Sequence, residues 1–288
     1  MSVVNTNVSA SIAQAALMRN ERALGSAMEQ LSTGRKINSA GDNASGLAIS
    51  ARMTSQIRGL DQAVRNANDA ISMINTAEGA LDEVTDMLQR MRELAIQSGT
   101  GTTDSADRTS LDAEFQALIA EIDRIAENTQ WNGRDILNGT AGGGSVSTVA
   151  FQIGMDPTQT VSLSFGNFSD TSGKVMGSLA LATTTLSAAT MALGITNAST
   201  ALVMTDKAIE AVSTQRATFG AVSNRLEHAI DNLTNVKTQS EASRSRILDT
   251  DYGSATSELA KAQIIQQAGT AMLAQANVMP QTVLALLQ

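Results

Sequence analysis

Residues 60–95 read LDQAVRNANDAISMINTAEGALDEVTDMLQRMRELA and contain no proline. Apolar residues recur in this stretch every seven positions, in a row made of Leu60, Ala67, Ile74, Leu81, Leu88 and Ala95. A parallel row begins at Ile57 and continues with Val64 and Ile71. Apolar residues at this spacing line one side of an α-helix and need partner helices to cover them. The stretch therefore predicts a helix of roughly 50 residues, about 75 Å long, within a bundle.

The rest of the chain predicts four further helices. One ends near Thr33, one runs from Ser105 to Thr129, one from about Thr200 to Arg246, and one from about Ser254 to the end. The third of these repeats the spacing of seven in the row Val212, Phe219, Leu226 and Leu233. Because the helices on the two sides of the chain's middle mirror each other, the simplest packing is an antiparallel bundle.

A short break separates the first helix from the long one. Gly34 can take the left-handed conformation that ends a helix. Ser39 or Asp42 can cap the start of the next helix, because their side-chain oxygens accept hydrogen bonds from free backbone N–H groups. We therefore expect the chain to leave the first helix at Gly34 and to re-enter a helix within a few residues of Asp42.

The middle of the chain predicts a β-hairpin. Residues 151–153 (FQI) and 161–165 (VSLSF) alternate between apolar and polar side chains, and residues 155–158 (MDPT) between them are typical of a turn. The expected fold is mainly α: an elongated antiparallel, coiled-coil-like helical bundle with a small β-hairpin module near residues 141–175. Both termini lie together at one pole in this arrangement, as an inner helical domain, and the hairpin lies at the other pole.

The composition argues against an enzyme. The chain has no cysteine and one histidine, His228, so it offers neither a thiolate nucleophile nor a Cys- or His-based metal centre. It lacks the glycine-rich loop followed by Lys that binds nucleoside phosphates. The net charge of −8 comes without a Lys/Arg stripe, which argues against nucleic-acid binding. We expect no catalytic residues, no cofactor and no metal.

The two ends of the chain are free of charged side chains. Residues 1–18 and 262–288 contain no Asp, Glu, Lys or Arg, yet glutamines interrupt the apolar residues too often for a membrane span. The start lacks the basic and apolar regions of a Sec signal peptide. Two such amphipathic helices can bury their apolar faces against other copies of the chain. A monomer whose ends complete its own core is the alternative. The candidate assembly residues are Leu17, Leu24, Leu31, Ile264, Ile265, Met272, Leu284 and Leu287.

Several ordered motifs resemble a known family. Residues 31–49 (LSTGRKINSAGDNASGLAI), 88–98 (LQRMRELAIQS) and 246–252 (RILDTDY) are similar to motifs of the bacterial flagellins, the subunits of the flagellar filament. The resemblance implies that residues 1–42 and 248–288 form an inner domain at the filament core. Residues 43–175 and 196–247 would form the surrounding helical bundle, and residues 176–195 a short connection where larger flagellins carry outer domains.

The resemblance also implies partners and a location. A flagellin assembles with copies of itself into an extracellular filament for swimming, and is exported by the flagellar type III channel without a cleaved Sec signal. An export chaperone would hold the C-terminal segment, and cap and hook-junction proteins would contact the filament. Many flagellins are ligands of a vertebrate innate immune receptor, whose recognised surface corresponds to Gln89, Arg90, Leu94 and Glu114. The alternative is a hook–filament junction protein of the same superfamily.

Overall fold

The computed structural model describes residues 7–143, 147–168 and 191–285, with the side chains of 191–193 and 279–285 left out. The helices are α1 Val8–Thr33, α2 Ala44–Ser98, α3 Ser105–Asn128, α4 Met191–Leu248 and α5 Tyr252–Ala285. Two antiparallel pairs of strands are formed by β1 Gln130–Trp131 with β2 Arg134–Asp135, and by β3 Thr148–Gln152 with β4 Thr160–Ser164. The prediction of a mainly α fold of packed antiparallel helices with a small hairpin is confirmed.

The chain divides into two compact units, which are described separately. A terminal unit consists of Met1–Ile57 and Thr238–Gln288, and a central unit consists of Arg58–Lys237. Both long helices, α2 and α4, contribute residues to each unit. Of the layer boundaries that the resemblance implies, residue 42 lies in the turn just before α2 and residue 248 is the last residue of α4; both boundaries stay a prediction.

The core of the central unit consists of the predicted heptad rows. Leu81 and Leu88 of α2, Phe115 of α3, and Phe219 and Leu226 of α4 are fully buried. The rings of Phe165, just after β4, and Phe219 pack with their centroids 5.3 Å apart. These rows form the contact face of the helices because spacing by seven keeps the apolar side chains on one side of each helix.

Ion pairs between α2 and α4 show the register of this packing. Arg92 Nε lies 2.6 Å from Asp206 Oδ1, Arg216 Nη1 lies 3.0 Å from Asp82 Oδ1, and Lys237 Nζ lies 2.6 Å from Asp61 Oδ1. From Asp206 to Arg216 and on to Lys237, the chain advances by ten and then by twenty-one residues along α4. Their partners on α2, which are Arg92, Asp82 and Asp61, go back by the same ten and twenty-one residues. The two helices therefore run antiparallel through the central unit without a shift of register.

The β3–β4 hairpin lies alongside the helices. Asn66 Nδ2 donates to the carbonyl oxygen of Gln152 at 2.9 Å, and Gln215 Nε2 donates to that of Ser164 at 2.8 Å. Met155 in the turn packs against Gly59. Its alternating apolar side chains, Val161 and Leu163, are buried in the core cluster of the central unit, and the expected position of the hairpin at the far pole stays a prediction.

The break between α1 and α2 differs from expectation in its cap. Gly34 ends α1 with φ 68°, as predicted. The cap of α2, however, is Asn43, whose Oδ1 accepts from the N–H of Gly46 at 2.8 Å. Asp42 Oδ2 instead accepts from the N–H groups of Asn38 and Ser39 at 3.0 and 2.8 Å. The predicted caps Ser39 and Asp42 are wrong because an N-cap side chain must reach a free N–H two or three residues on.

Two further features of the central unit were not expected. Helix α4 begins at Met191, within the stretch 176–195 that we assigned to a connection; residues 176–190 lie outside the described residues. Arg108 on α3 is 1% exposed, and its Nε and Nη2 donate to the carbonyl oxygens of Ser98 and Thr100 at 3.0 Å each. This guanidinium thereby donates to the carbonyl of Ser98, the last residue of α2, and adds a second donor to the carbonyl of Thr100 in the following turn.

Candidate assembly surface

Helices α1 and α5 pack against each other in the terminal unit and run antiparallel. The Asn7 side chain caps α1, accepting from the N–H of Ala10 at 3.0 Å, and donates to the carbonyl oxygen of Ala276 at 2.8 Å. Further along, the buried Asn20 donates from Nδ2 to the carbonyl oxygen of Ala262 at 2.7 Å. These two amides fix the register of the helix pair, because each reaches one backbone carbonyl of α5.

The helices approach each other closely between these bonds. A Cβ built on Gly269 would lie 2.6 Å from Leu17 Cδ2 and 3.1 Å from Leu17 Cγ, which is shorter than any ordinary contact. Glycine at 269 therefore makes room for the leucine side chain. The other end of the pair is held by backbone bonds from the N–H of Lys36 to the oxygen of Leu248 and from that of Thr250 to the oxygen of Gly34, at 2.7 and 3.0 Å.

The pairing of α1 with α5 leaves large apolar side chains in water. Ile12, Ile264 and Met272 are the most exposed, at 63%, 65% and 65% of their surface. Other exposed apolar residues of the two helices are Val8, Met18, Met28, Tyr252, Ile265 and Val278. Scattered single exposed apolar residues are ordinary on a protein surface, but a set concentrated on one helix pair is typical of an interaction site.

An open groove lies within this surface. It has a volume of about 420 Å³ and is bordered by Ser9, Ile12, Ala13, Ala16, Leu17, Ile265, Gly269 and Met272. None of these residues carries a charge. We define the exposed apolar residues and this groove together as the assembly surface.

The predicted assembly residues fall into three groups in the structure. Leu17, Leu24 and Leu31 are half-buried, and Leu17 packs on α5, so part of the apolar surface of the ends is covered within one chain. Ile264, Ile265 and Met272 are exposed. Leu284 lies in α5 without a described side chain, and Leu287 lies outside the described residues.

The sequence reasoning missed the exposed residues of α1, chiefly Ile12 and Met18. The heptad row of leucines drew attention to the opposite side of the helix, which faces α5. The sequence did contain a signal for them. The exposed face of an ordinary amphipathic helix carries charged residues, and residues 1–18 carry none. Together with Ile264 and Met272, these residues leave the helix pair with exposed apolar surface.

A second candidate surface lies where α2 faces α3 in the central unit. Arg90 Nη2 is 2.8 Å from Glu114 Oε1, and Arg90 Nη1 is 3.0 Å from Glu93 Oε2. The hydrogen bond that Arg90 donates to Glu114, followed by the one that it donates to Glu93, raises the pKa of Arg90 above its ordinary value. Gln89, Arg90 and Glu114 are exposed and available to a partner.

Leu94 departs from the expected immune-receptor surface. Its side chain is fully buried in the core of the central unit. It follows Arg90 by four residues, but the apolar face of α2 is wide enough at this point to include Met91, Leu94 and Ala95, which are all buried. Leu94 is therefore not accessible to a partner in this structure, and its part in an immune-receptor surface stays a prediction.

None of the helices in the described part of the chain is both long and apolar enough to span a membrane. Among the same residues, no group of three or more His, Cys, Asp or Glu side chains is arranged to hold a metal ion.

The fold and the assembly surface define a mainly α-helical protein whose two terminal helices pair and keep apolar side chains exposed. Comparison with known proteins gives the family. Residues 4–142 match the family model of the bacterial flagellin N-terminal helical region, and residues 202–287 match that of the bacterial flagellin C-terminal helical region. The chain belongs to the bacterial flagellin family.

Individual relatives agree with this assignment. A flagellin of Halalkalibacterium halodurans is 46% identical over 268 residues that cover 91% of each chain. A flagellin of Bacillus subtilis is 43% identical over 310 aligned positions that cover 99% of each chain. The solved structure of a flagellar hook-associated protein from Vibrio parahaemolyticus superposes with a TM-score of 0.57, covering 72% of this chain and 100% of the other. At 13% identity that likeness shows the fold alone.

Proposed function

We propose that this chain is a structural subunit that assembles with copies of itself into the bacterial flagellar filament used for swimming. The observation that carries the proposal is the assembly surface: two paired helices with apolar side chains exposed and no charge in residues 1–18 or 262–288. In the filament, residues 1–42 and 248–288 form the inner layer. Copies of a charged helix packed around one tube would bring like charges close together in a poorly screened environment, which is costly.

The energetic argument depends on how much apolar surface remains to be covered. Burying one large apolar side chain fully contributes about 1.5–3 kcal/mol, and the nine exposed apolar residues of α1 and α5 are each 44–65% exposed. Covering them in a polymer therefore contributes several kcal/mol per subunit, before the entropic cost of association. This supports association of copies rather than a terminal unit that is complete by itself.

The proposal includes a location and partners. The chain reaches the extracellular filament through the flagellar type III channel. An export chaperone covers the C-terminal segment before export, which is supported by the exposure of Ile264 and Met272 on a helix that would otherwise be free to aggregate. Filament cap and hook-junction proteins contact the assembled chain, and no enzymatic activity is involved.

A pair of charge substitutions tests the assembly surface. Ile264→Glu places a carboxylate on the exposed face of α5, where it stays solvated in the monomer but would be buried in a polymer. Val203→Glu is the matched control, because Val203 is 51% exposed on α4 and belongs to the central unit. Seeded elongation of the purified protein, followed by light scattering and electron microscopy, compares the two variants.

The expected result is loss of elongation for Ile264→Glu at unchanged helix content by circular dichroism, with elongation retained for Val203→Glu. Elongation by both variants would show that α5 is not the assembly surface. Short, sparse assemblies in place of long filaments of identical subunits would favour the hook–filament junction alternative.

We further propose that the exposed cluster of Gln89, Arg90 and Glu114 is the surface through which monomeric chain acts as a ligand of a vertebrate innate immune receptor. Its support is geometric, since Glu114 and Glu93 hold Arg90 in a fixed and accessible position. A reporter-cell assay with Arg90→Ala tests this. Arg124→Ala is the control, because Arg124 is also exposed and paired with a carboxylate, that of Glu121. Equal signals from both variants, or none from the wild type, would refute the proposal.

A further inference from the structure

The chain contains two Asn-Gly pairs, Asn132-Gly133 and Asn138-Gly139. In such a pair the glycine has no side chain to shield its backbone nitrogen, which can attack the side-chain amide of the asparagine. The two pairs lie six residues apart, but the structure holds them in opposite ways. We propose that Asn132 is a site of spontaneous deamidation in the folded protein and that its contacts protect Asn138.

The reaction needs water and a base from the solvent. The backbone nitrogen of Gly133 gives its proton to hydroxide and forms a bond with Cγ of Asn132. The bond between Cγ and Nδ2 breaks, the departing nitrogen takes a proton from water and leaves as ammonia, hydroxide is regenerated, and a five-membered succinimide remains. Water then opens the ring: attack at Cγ gives aspartate, and attack at the main-chain carbonyl carbon gives isoaspartate. The net change is addition of one water and loss of one ammonia, with no change of oxidation state.

Asn132 lies at the tip of the β1–β2 hairpin, where little opposes this ring closure. Asn132 and Gly133 are exposed and adopt φ angles of 51° and 74°, the left-handed pair typical of a two-residue hairpin turn. Within the described part of the chain, no hydrogen bond of the Asn132 side chain or of the Gly133 N–H is found. Each flanking strand has two residues, so few ladder bonds resist the rotation that closure requires.

Asn138 has the same sequence neighbour but a restrained side chain. Its Oδ1 accepts from the N–H and the Oγ1 of Thr140 at 3.1 and 2.5 Å, and its Nδ2 donates to Asp135 Oδ2 at 3.0 Å. The backbone of Asn138 forms an antiparallel bridge with Asn167. A Cβ on Gly139 would lie 2.9 Å from Asn167 Nδ2, so the glycine is tightly packed as well. Cyclisation at Asn138 therefore requires local unfolding first.

Deamidation at Asn132 has a structural consequence. It adds a negative charge beside Asp135, and isoaspartate also adds one backbone carbon to a turn that pairs Trp131 with Arg134. The Trp131 indole N–H bonds to Ser72 Oγ at 3.4 Å, and Arg134 donates to the carbonyl oxygen of Ala141. The modification thus loosens a segment that packs on α2 and holds the following loop.

The test follows both asparagines in the same intact protein. Wild-type chain is incubated at mildly alkaline pH, natively and in denaturant, and then digested with trypsin beside an unincubated sample. Cleavage after Arg134 places the two asparagines in different peptides, and mass spectrometry with an isoaspartate assay measures each. Asn132→Gln is the control that identifies the signal, since glutamine cyclises far more slowly.

The expected result is that Asn132 deamidates roughly tenfold or more faster than Asn138 in the native protein, with the two rates converging in denaturant. The Gln variant should show no isoaspartate in the first peptide. Equal native rates, or faster reaction at Asn138, would overturn the proposal. A ratio unchanged by denaturant would overturn it too, because the difference would then belong to the sequence and not to the fold.

Discussion

Leu17 Cδ2 on α1 lies 2.6 Å from the position that a Cβ on Gly269 of α5 would occupy. The two helices of the terminal unit can approach this closely because residue 269 is glycine. Ile12 borders the same groove as Leu17 and Gly269, and 63% of its surface stays exposed. Leu17 therefore contributes to the pairing of α1 with α5 within the chain, whereas Ile12 is left exposed to other copies.

Substituting Gly269 with alanine tests this contact. Overpacking of this kind costs about 1–3 kcal/mol, which exceeds the gain of up to about 1 kcal/mol from replacing a helical glycine. We expect faster hydrogen exchange of the α5 amides around residue 269. Gly25→Ala is the control, because nothing lies within 4 Å of a Cβ at that position on α1, and it should stabilise the helix.

A double variant tests whether Leu17 is the side chain with which the new methyl group of Gly269→Ala clashes. Leu17→Ala removes the atoms that the new methyl group would meet, so Gly269→Ala should no longer be destabilising in that background. If Gly269→Ala behaves like Gly25→Ala in the wild-type background, the close approach of α1 and α5 is incorrect.

Arg108 gives a prediction about the central unit. Arg108→Ala removes the guanidinium donor from the buried carbonyl oxygen of Ser98 and one of the two donors from that of Thr100, and we expect a loss of about 1–3 kcal/mol in the free energy of unfolding. Arg65→Ala is the control, because that exposed guanidinium bonds to Gln62 on its own helix, and a change within about 0.5 kcal/mol is expected. Equal effects in urea unfolding would contradict the capping role.

Asp42 gives a prediction about pH. Hydrogen bonds from the backbone N–H groups of Ser39 and Asn38 lower the pKa of Asp42 below its ordinary value of 3.8. A carboxylate whose pKa falls on folding stabilises the folded state above its ordinary pKa, and this contribution is lost as pH falls through the folded-state value.

Two measurements check the Asp42 prediction. An NMR titration of the Asp42 carboxyl carbon should have its midpoint below 3.8. The stability difference between wild type and Asp42→Asn should shrink as pH falls below that value. A midpoint at or above the ordinary value would show that the two N–H bonds are absent in solution.

Much of the fold could be predicted from the sequence because its signals are local. Heptad rows such as Leu81 and Leu88 identify the buried side of a helix without knowledge of its partner, and Gly34 is read correctly as a helix end. The cap of α2 was missed by one residue, because Asp42 and Asn43 have similar capping chemistry and their hydrogen-bond geometry decides between them.

Features that depend on contacts between distant residues could not be predicted. Nothing near Arg108 in the sequence indicates that it is buried at the end of α2, and nothing in residues 148–164 indicates which side of the helices the hairpin covers. Leu94 is a related case. Its match to a position of the family's receptor surface does not tell whether the side chain points outward or into the core, and here it is buried.

Truncation of the chain gives the most direct test of assembly through the paired terminal helices. Intact chain and a chain lacking residues 254–288 are compared by electron microscopy after seeding, with helix content followed by circular dichroism. We expect long filaments from the intact chain, and from the truncated chain a soluble monomer that keeps most of its remaining helix. Filaments grown from the truncated chain, or an intact chain that stays monomeric when seeded, would contradict the account.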